Sequence, residues 1–448
     1  MSEPVFFRAY DIRGVVGKEL KLEDFLNFGR ALGVVTDGKV VVGRDARVHG
    51  EMCEMALTSG LLESGVEVEL IGVTPIGMLS FAVEEREASK GVMVGASHNP
   101  PEYNGLKFFE RGGEYSKELD NTVRKIFLEK SFKDFEWKRI GKVYKVDVKS
   151  DYISFIASKI TLERGVSVAV DTMNATGGVI VRKVFQRLGL NPIILNEEVN
   201  GFFPKGAPEP KPSKLTELRE TVVSKGLELG LAFDGDCDRV MLIDDRGRFV
   251  SPEKTAAYLL YNMEVKKGDI VVTTVNSSLL IDEVAEDLGL KVVRTRVGHF
   301  YIIGEVKKLN AVIGFERSGH MTIPSLRLFD DAILVASKIL EIKSRTGRLS
   351  EFIDKLPKYF NEEVNVKCSD KIKFRVVEEV KNLVSSEYSI ETIDGVRAIT
   401  SEGWFLVRAS NTEPLVRITA EAKTGEKLNE LLEYAKKLVI KAMNSLKA

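Results

Sequence analysis

Ser97 stands between the apolar run Gly91-Val92-Met93-Val94-Gly95-Ala96 and the string His98-Asn99-Pro100-Pro101-Glu102-Tyr103-Asn104-Gly105-Leu106-Lys107. A small hydroxyl at the end of a buried strand is where a nucleophile can be held exposed. Two prolines stiffen the chain behind it. A phosphoryl group on that hydroxyl would bring about -1.5 to -2 charges and would need cations around it. His98 and Lys107 are cations or proton carriers nearby in sequence. Taken alone, the string also reads as a rigid turn with a capping serine and a solvated histidine.

A second string, Phe233-Asp234-Gly235-Asp236-Cys237-Asp238-Arg239, lies between the apolar stretches LELGLAF and VMLID. The flanks read as two strands joined by a turn. Three carboxylates at alternate positions repel one another unless a cation sits among them. In an extended segment alternate residues point the same way, so all three could face one ion. Hard oxygen ligands suit Mg²⁺ or Ca²⁺. An EF-hand is excluded, because Arg239 stands where that loop needs Gly, Asp245 where it needs Glu, and the flanks are strands. Sharing the ion with a phosphate oxygen favours Mg²⁺. An acidic hairpin turn is the plain alternative.

Two further loops could bind substrate. Arg408-Ala409-Ser410-Asn411-Thr412-Glu413-Pro414, with Arg417 beyond it, gathers guanidinium, hydroxyl, amide and backbone N–H donors, which is a phosphate cradle. A surface turn with a Ser/Thr cap is its alternative. Gly314-Phe315-Glu316-Arg317-Ser318-Gly319-His320 sets Glu316 and Ser318 two apart, where they could hydrogen-bond neighbouring sugar hydroxyls. His299, in Val297-Gly298-His299, carries the weakest signal.

These loops need elements to position them, and the chain supplies them as a threefold repeat of pattern. The copies begin at KVVVGRD (39–45), VSVAVDT (166–172) and DIVVTTV (269–275). Each reads as buried strand, polar loop, amphipathic helix, glycine stop, strand. Continuous Val/Ile runs suit strands covered on both faces. A glycine after each helix suits a left-handed C-terminal cap. Three βαβ units imply three related α/β domains with mixed sheets. A fourth region alternates polar and apolar residues in NEEVNVKC (361–368) and WFLVRAS (404–410) and ends in a charged helix, which suggests a smaller α+β domain. The predicted division is 1–150, carrying the Ser97 loop, 151–250, carrying the aspartate loop, 251–360, carrying the Glu316 loop, and 361–448, carrying the Arg408 loop. The segment GFFPKGAPEPKPSKL (201–215) is rich in Pro and Gly and cannot be a helix interior.

Composition narrows the partners. The chain's 65 Lys and Arg nearly balance its 66 Asp and Glu, which leaves no bulk field to attract nucleic acid or an anionic membrane. No apolar run reaches about 18 residues, so no transmembrane helix is expected. Acidic residues near the N-terminus argue against a secretory signal. Cys53, Cys237 and Cys368 are sparse and far apart, which fits a reducing compartment and neither a disulfide framework nor a zinc site. A cytoplasmic protein is expected. Its lone glutamine, Gln186, and its Lys and Glu content fit a heat-adapted source. Small-molecule substrates are expected as partners, and a homo-oligomer stays open.

In this order the strings resemble the α-D-phosphohexomutase superfamily, in its phosphomannomutase/phosphoglucomutase branch. The likeness runs from FRAYDIRG (7–14) to RASNTEPLVRI (408–418). It implies four domains around a cleft, each giving one loop to the site. It makes Ser97 a phosphoserine. Asp234, Asp236 and Asp238 would hold Mg²⁺ with the Ser97 phosphate as a further ligand. Arg239 and Arg13 would face the transferring group. Lys107 and His98 become candidates for general acid/base work, with Lys107 preferred, provided its pKa is lowered. Glu316, Ser318, His299 and His320 would contact the sugar. Arg408, Ser410, Asn411, Thr412 and Arg417 would hold the phosphate that is not reacting. Gly95 and Phe315 depart from residues common in the family, and Phe315 bears on specificity.

The implied activity interconverts hexose 1-phosphate and hexose 6-phosphate, for mannose or glucose, through a hexose 1,6-bisphosphate intermediate that also serves as activator. The Asn of S-N-T-E-P and the E-R-S-G-H string lean that way, with phosphoglucosamine mutase as the alternative. Two rivals from other classes remain: a haloacid-dehalogenase-like phosphatase using Asp234 as nucleophile, and a sugar-phosphate sensor built on an inactive mutase.

Overall fold

The structure, a computed structural model, describes residues 4–7, 12–410 and 414–446. Asn411 and Thr412, and Tyr10 and Asp11 of the FRAYDIRG string, lie outside the described residues. The chain forms two compact units, Met1–Val250 with Gly319–Glu351, and Ser251–Ser318 with Phe352–Ala448.

The first unit holds two sheets. One has six strands, in the order Ile12–Val15, Tyr103–Glu110, Lys90–Val94, Lys39–Arg44, Glu67–Val73 and Val143–Lys145. Strand Lys39–Arg44 runs parallel to both its neighbours. Its Val40, Val41 and Val42 are fully buried, as an uninterrupted valine run demands when helices cover both faces. The crossover through helix Gly50–Glu63 leads to one side of this strand, and the crossover through helix Ile76–Glu85 leads back to its other side. The carboxyl ends of Lys39–Arg44 and Lys90–Val94 therefore flank a switch point, where open α/β sheets leave a crevice for ligands. Asp45 and Ser97 follow those two ends. The second sheet runs Phe249–Val250, Val240–Asp244, Leu229–Phe233, Val168–Asp171 and Ile193–Leu195.

The second unit contains a parallel set, Lys291–Thr295 beside Ile270–Thr274 beside Ile313–Phe315. It also contains a five-stranded antiparallel sheet in the order Phe360–Lys367, Leu415–Ala422, Gly403–Ala409, Val396–Ile399 and Ser389–Glu391. Helices Lys373–Val384 and Gly425–Ser445 pack on that sheet through Val376, Val380, Leu431, Leu432 and Ala435.

The predicted repeat is present as three parallel strand–helix–strand units, and the architecture is three related α/β modules followed by an α+β module. The glycine closing each repeat is left-handed: Gly65 has φ 81°, Gly189 82° and Gly289 69°. A Cβ at that conformation is strained, which accounts for the recurring residue type. Among the described residues, no helix is long and apolar enough to cross a membrane.

Candidate active site

Ser97 lies where the chain leaves strand Lys90–Val94, with φ 48°, a backbone conformation sparsely used by any residue other than glycine. It is buried, and its Oγ donates to Asp234 Oδ2 at 2.9 Å. His98 Nδ1 is 3.3 Å from the same Oγ. Burial, then the positive charges of Arg239 and Arg13, push His98 well below the usual histidine range, so its ring is neutral at pH 7. Arg13, on strand Ile12–Val15, donates to Asn99 Oδ1 at 2.6 Å and to Ala96 O at 3.4 Å, which fixes it across the serine loop.

The aspartate loop joins antiparallel strands Leu229–Phe233 and Val240–Asp244, as the apolar flanks predict. Its carboxylates do converge, but by a different route from extended alternation. The segment is a tight turn, with Cys237 at φ 58°. Asp234 Oδ1 accepts from the N–H groups of Asp238 and Arg239 at 3.2 and 3.1 Å, curling the chain around that side chain. The turn is held from outside by Ile76 N–H on Asp236 O at 2.8 Å, Ala332 N–H on Cys237 O at 3.2 Å and Thr176 Oγ1 on Gly235 O at 2.9 Å. Gly235 has no substitute here, because a Cβ would lie 2.3 Å from Ser97 O. The close approach of the two loops is therefore written into that glycine.

Asp234, Asp236 and Asp238 offer carboxylate oxygens all within 4.8 Å of one another, and all three residues are buried. Burial, followed by the charges of Asp238 and Asp236, holds Asp234 well above the usual carboxylate range. Burial acts the same way on Asp238, but His320, Lys107 and Arg239 outweigh it and hold that carboxyl well below the range. Asp236 Oδ1 is buried and accepts no hydrogen bond. An orphaned buried oxygen within an all-oxygen donor set fits a hard divalent cation. The three carboxylates could hold such an ion, and it would relieve their mutual repulsion.

Cations surround the triad. Lys107, from strand Tyr103–Glu110, places Nζ 3.2 Å from Asp236 Oδ2 and 3.3 Å from Asp238 Oδ2. Arg239 Nε is 3.8 Å from Asp234 Oδ2 and 3.9 Å from Asp238 Oδ1. His320 has Nε2 3.2 Å from Asp238 Oδ1. A bridge between Arg239 and His320, with Val240 N–H on Gly319 O at 3.2 Å, brings it there. The first unit thus gathers Ser97, His98, Arg13, Lys107, Arg239, His320 and the three aspartates.

In the second unit, Ser318 Oγ donates to Glu316 Oε1, so this pair is already joined by a hydrogen bond. His299 is the first residue of helix His299–Leu309. Arg408 and Arg417 are direct cross-strand partners on Gly403–Ala409 and Leu415–Ala422. Like charges directly opposite are unfavourable unless something negative sits between or beside them. Here Asp394 Oδ2 takes Arg408 Nη1 at 3.3 Å, and Glu363 Oε1 lies 3.8 Å from Arg417 Nη1. Ser410 is buried at the end of the same strand, its N–H on Leu415 O at 3.0 Å. Asn411 and Thr412 follow it in sequence, outside the described residues.

Sequence reasoning missed Asp45, Arg47 and Asp394. Asp45 and Arg47 carried a readable signal: an Asp and an Arg two apart, just after a valine run, in VVVGRDAR. Asp394 carried none, since its partners lie far away in sequence.

Four models of phosphoglucomutase/phosphomannomutase domains match in succession: α/β/α domain I at residues 4–134, domain II at 150–247, domain III at 252–360 and the C-terminal domain at 363–438. A "Probable phosphoglucosamine mutase" of Pyrococcus abyssi is 37% identical over 97% of this chain and 97% of its own. A "Phosphoglucomutase/phosphomannomutase" of Thermococcus kodakarensis is 36% identical over 98% of this chain and 99% of its own. A crystal structure of a phosphoglucomutase/phosphomannomutase family protein from Burkholderia thailandensis superposes with a TM-score of 0.89 at 27% identity, covering 99% of this chain and 98% of that one. The chain belongs to the phosphoglucomutase/phosphomannomutase family of the α-D-phosphohexomutase superfamily, a family of isomerases.

Proposed function

We propose that this protein is a phosphoserine mutase that interconverts the 1- and 6-phosphates of glucose or mannose. The observation that carries the reading is the hydrogen bond from Ser97 Oγ to Asp234 Oδ2, inside a buried cluster of three aspartates and a lysine with the part-buried Arg13 and Arg239 beside it. In the forward step phospho-Ser97 gives its phosphoryl group to the free hydroxyl of the hexose phosphate. The Ser97 Oγ–P bond breaks, a sugar O–P bond forms, and the hydroxyl proton passes to a basic group of the cluster. The resulting hexose 1,6-bisphosphate turns round and returns its other phosphoryl group to Ser97. Arg239 and Arg13 stabilise charge on the transferring group. Mg²⁺ held by Asp234, Asp236 and Asp238 supplies further charge neutralisation when bound. His98, neutral at pH 7, orients the serine hydroxyl.

Glu316 and Ser318 are assigned to sugar hydroxyls, with His299 beside them. Arg408, Arg417, Ser410, Asn411 and Thr412 are assigned to the phosphate that does not react, in either orientation of the substrate. The four segments 1–150, 151–250, 251–360 and 361–448 each contribute one of these loops. We place the protein in the cytoplasm, with a thermophilic source and small hexose phosphates as partners.

The amino-sugar reading stands beside this one, because relatives at 37% identity carry the name phosphoglucosamine mutase. Measuring kcat/KM for the 1-phosphates of glucose, mannose and glucosamine, with the matching bisphosphates and Mg²⁺, separates the two. A ratio of at least about tenfold for glucose or mannose over glucosamine supports the first reading, since one pocket contact is worth about 1–3 kcal/mol. The reverse ratio supports the second.

A further inference from the structure

The proline- and glycine-rich segment 201–215 and the charge pair Asp45–Arg47 have no part in the chemistry above, yet both converge behind Ser97. Arg47 is 1% exposed, extreme for an arginine. Its Nε donates to Asp45 Oδ2 at 2.9 Å. Its Nη2 donates to Ser97 O at 3.0 Å and Asn99 O at 2.8 Å, and its Nη1 donates to Pro100 O. Four of its five N–H donors are thus placed, three of them on the backbone of the serine loop. Asp45 Oδ2 also accepts from Ala96 N–H at 2.9 Å, so the pair grips the loop on both sides of the hydroxyl.

The far side of the guanidinium is closed by the 201–215 segment. Phe203 is buried, with its ring centroid 5.3 Å from the Arg47 guanidinium carbon. Gly201 lets the segment come this close, because a Cβ there would lie 2.2 Å from Ala46 O.

We propose that Arg47, clamped between Phe203 and the serine loop, is the positioning residue that fixes the direction of the Ser97 hydroxyl. The left-handed backbone at Ser97 is unfavourable on its own, and the loop carbonyls have no helix or sheet to hold them. A planar fork that meets three carbonyls at once over-determines that conformation. Lysine keeps the charge but offers one nitrogen, which cannot span the same acceptors. This inference rests on Ser97 being the phosphoryl acceptor.

The test uses the full-length protein with Mg²⁺ and glucose 1,6-bisphosphate as the phosphoryl probe. In Arg47→Lys, kcat and the single-turnover rate of Ser97 phosphorylation should fall together by about 30-fold, while KM moves less than about twofold, because misdirection of a reacting atom slows the step without removing substrate contacts. Phe203→Leu, which keeps an apolar contact and loses the ring face, should lower the same two rates by about threefold. An Arg47→Lys enzyme with native kcat overturns the proposal. Should that variant not fold, native rates in Phe203→Leu overturn it instead. Ser97→Ala is the reference. If it turns over normally, the phosphoserine reading fails and the Arg47 role fails with it. If it is dead while Arg47→Lys is fully active, the Arg47 role alone fails.

Discussion

The serine–aspartate centre and the Arg408–Arg417 region present their charges in opposite ways. In the first, Ser97, Asp234, Asp236, Asp238 and Lys107 are 0–8% exposed, and each is fixed by a named partner. In the second, the Arg408 and Arg417 side chains are 14% and 31% exposed, and each guanidinium meets a carboxylate at 3.3–3.8 Å. A group that breaks a P–O bond gains from a dry, prearranged field, because each charge then acts without solvent reorganising around it. A group that must accept and release a charged substrate gains from exposure and from weak, exchangeable partners. Burial therefore separates Ser97, Lys107 and the three aspartates from Arg408 and Arg417.

Three variants can break or sharpen this contrast. Ser97→Ala should reduce turnover by roughly four orders of magnitude, as removal of a nucleophile does, while leaving Mg²⁺ binding by calorimetry in place. Retained turnover would deny the buried centre its role. Asp236→Asn should weaken Mg²⁺ binding by about 30-fold, near 2 kcal/mol, and lower kcat, because it removes one of three negative donors and one of the two carboxylates that hold Lys107. Arg408→Lys should raise KM for hexose phosphate by about tenfold, with a smaller effect on kcat, since lysine cannot present two parallel N–H groups to phosphate. A pure kcat effect would place Arg408 with the reacting groups and erase the contrast.

The smallest effect lies outside both regions. Glu228 is partly buried, which alone would raise its carboxyl. Arg164 at 2.7 Å, Lys343 at 2.9 Å and the Ser167 N–H outweigh this and bring it down to about 2 from the usual 4.5. The folded pKa is depressed, so this stabilisation is complete above about pH 4.5 and is lost as pH falls through about 2. Glu228→Gln should lower stability by about 1–2 kcal/mol at pH 7 and by little near pH 2, with kcat and KM unchanged. Denaturant midpoints at the two pH values check it.

The strand–helix–strand repeats were legible because buried parallel strands need continuous Val/Ile and their helices need a left-handed stop. Both requirements constrain residue type locally. The aspartate triad was legible for the same reason: three carboxylates crowded into five positions repel one another, and a cation bound among them would offset that cost. Its backbone was misread as extended because the turn is imposed by Asp234 gathering the N–H groups of Asp238 and Arg239, and by Ile76, Thr176 and Ala332 from distant segments. His320 at Asp238, Asp394 at Arg408 and Arg47 under Phe203 are long-range pairings, and alternation or spacing along one segment carries no trace of them.

The central claim is that the Ser97 hydroxyl takes the phosphoryl group. Incubating the full-length protein with Mg²⁺ and glucose 1,6-bisphosphate, quenching in acid and mapping phosphopeptides by mass spectrometry tests it directly. The account predicts acid-stable phosphate on the peptide containing Ser97, and none on that peptide in Ser97→Ala. Phosphate on Asp234, or an unmodified Ser97 in a protein that still turns over, would contradict it.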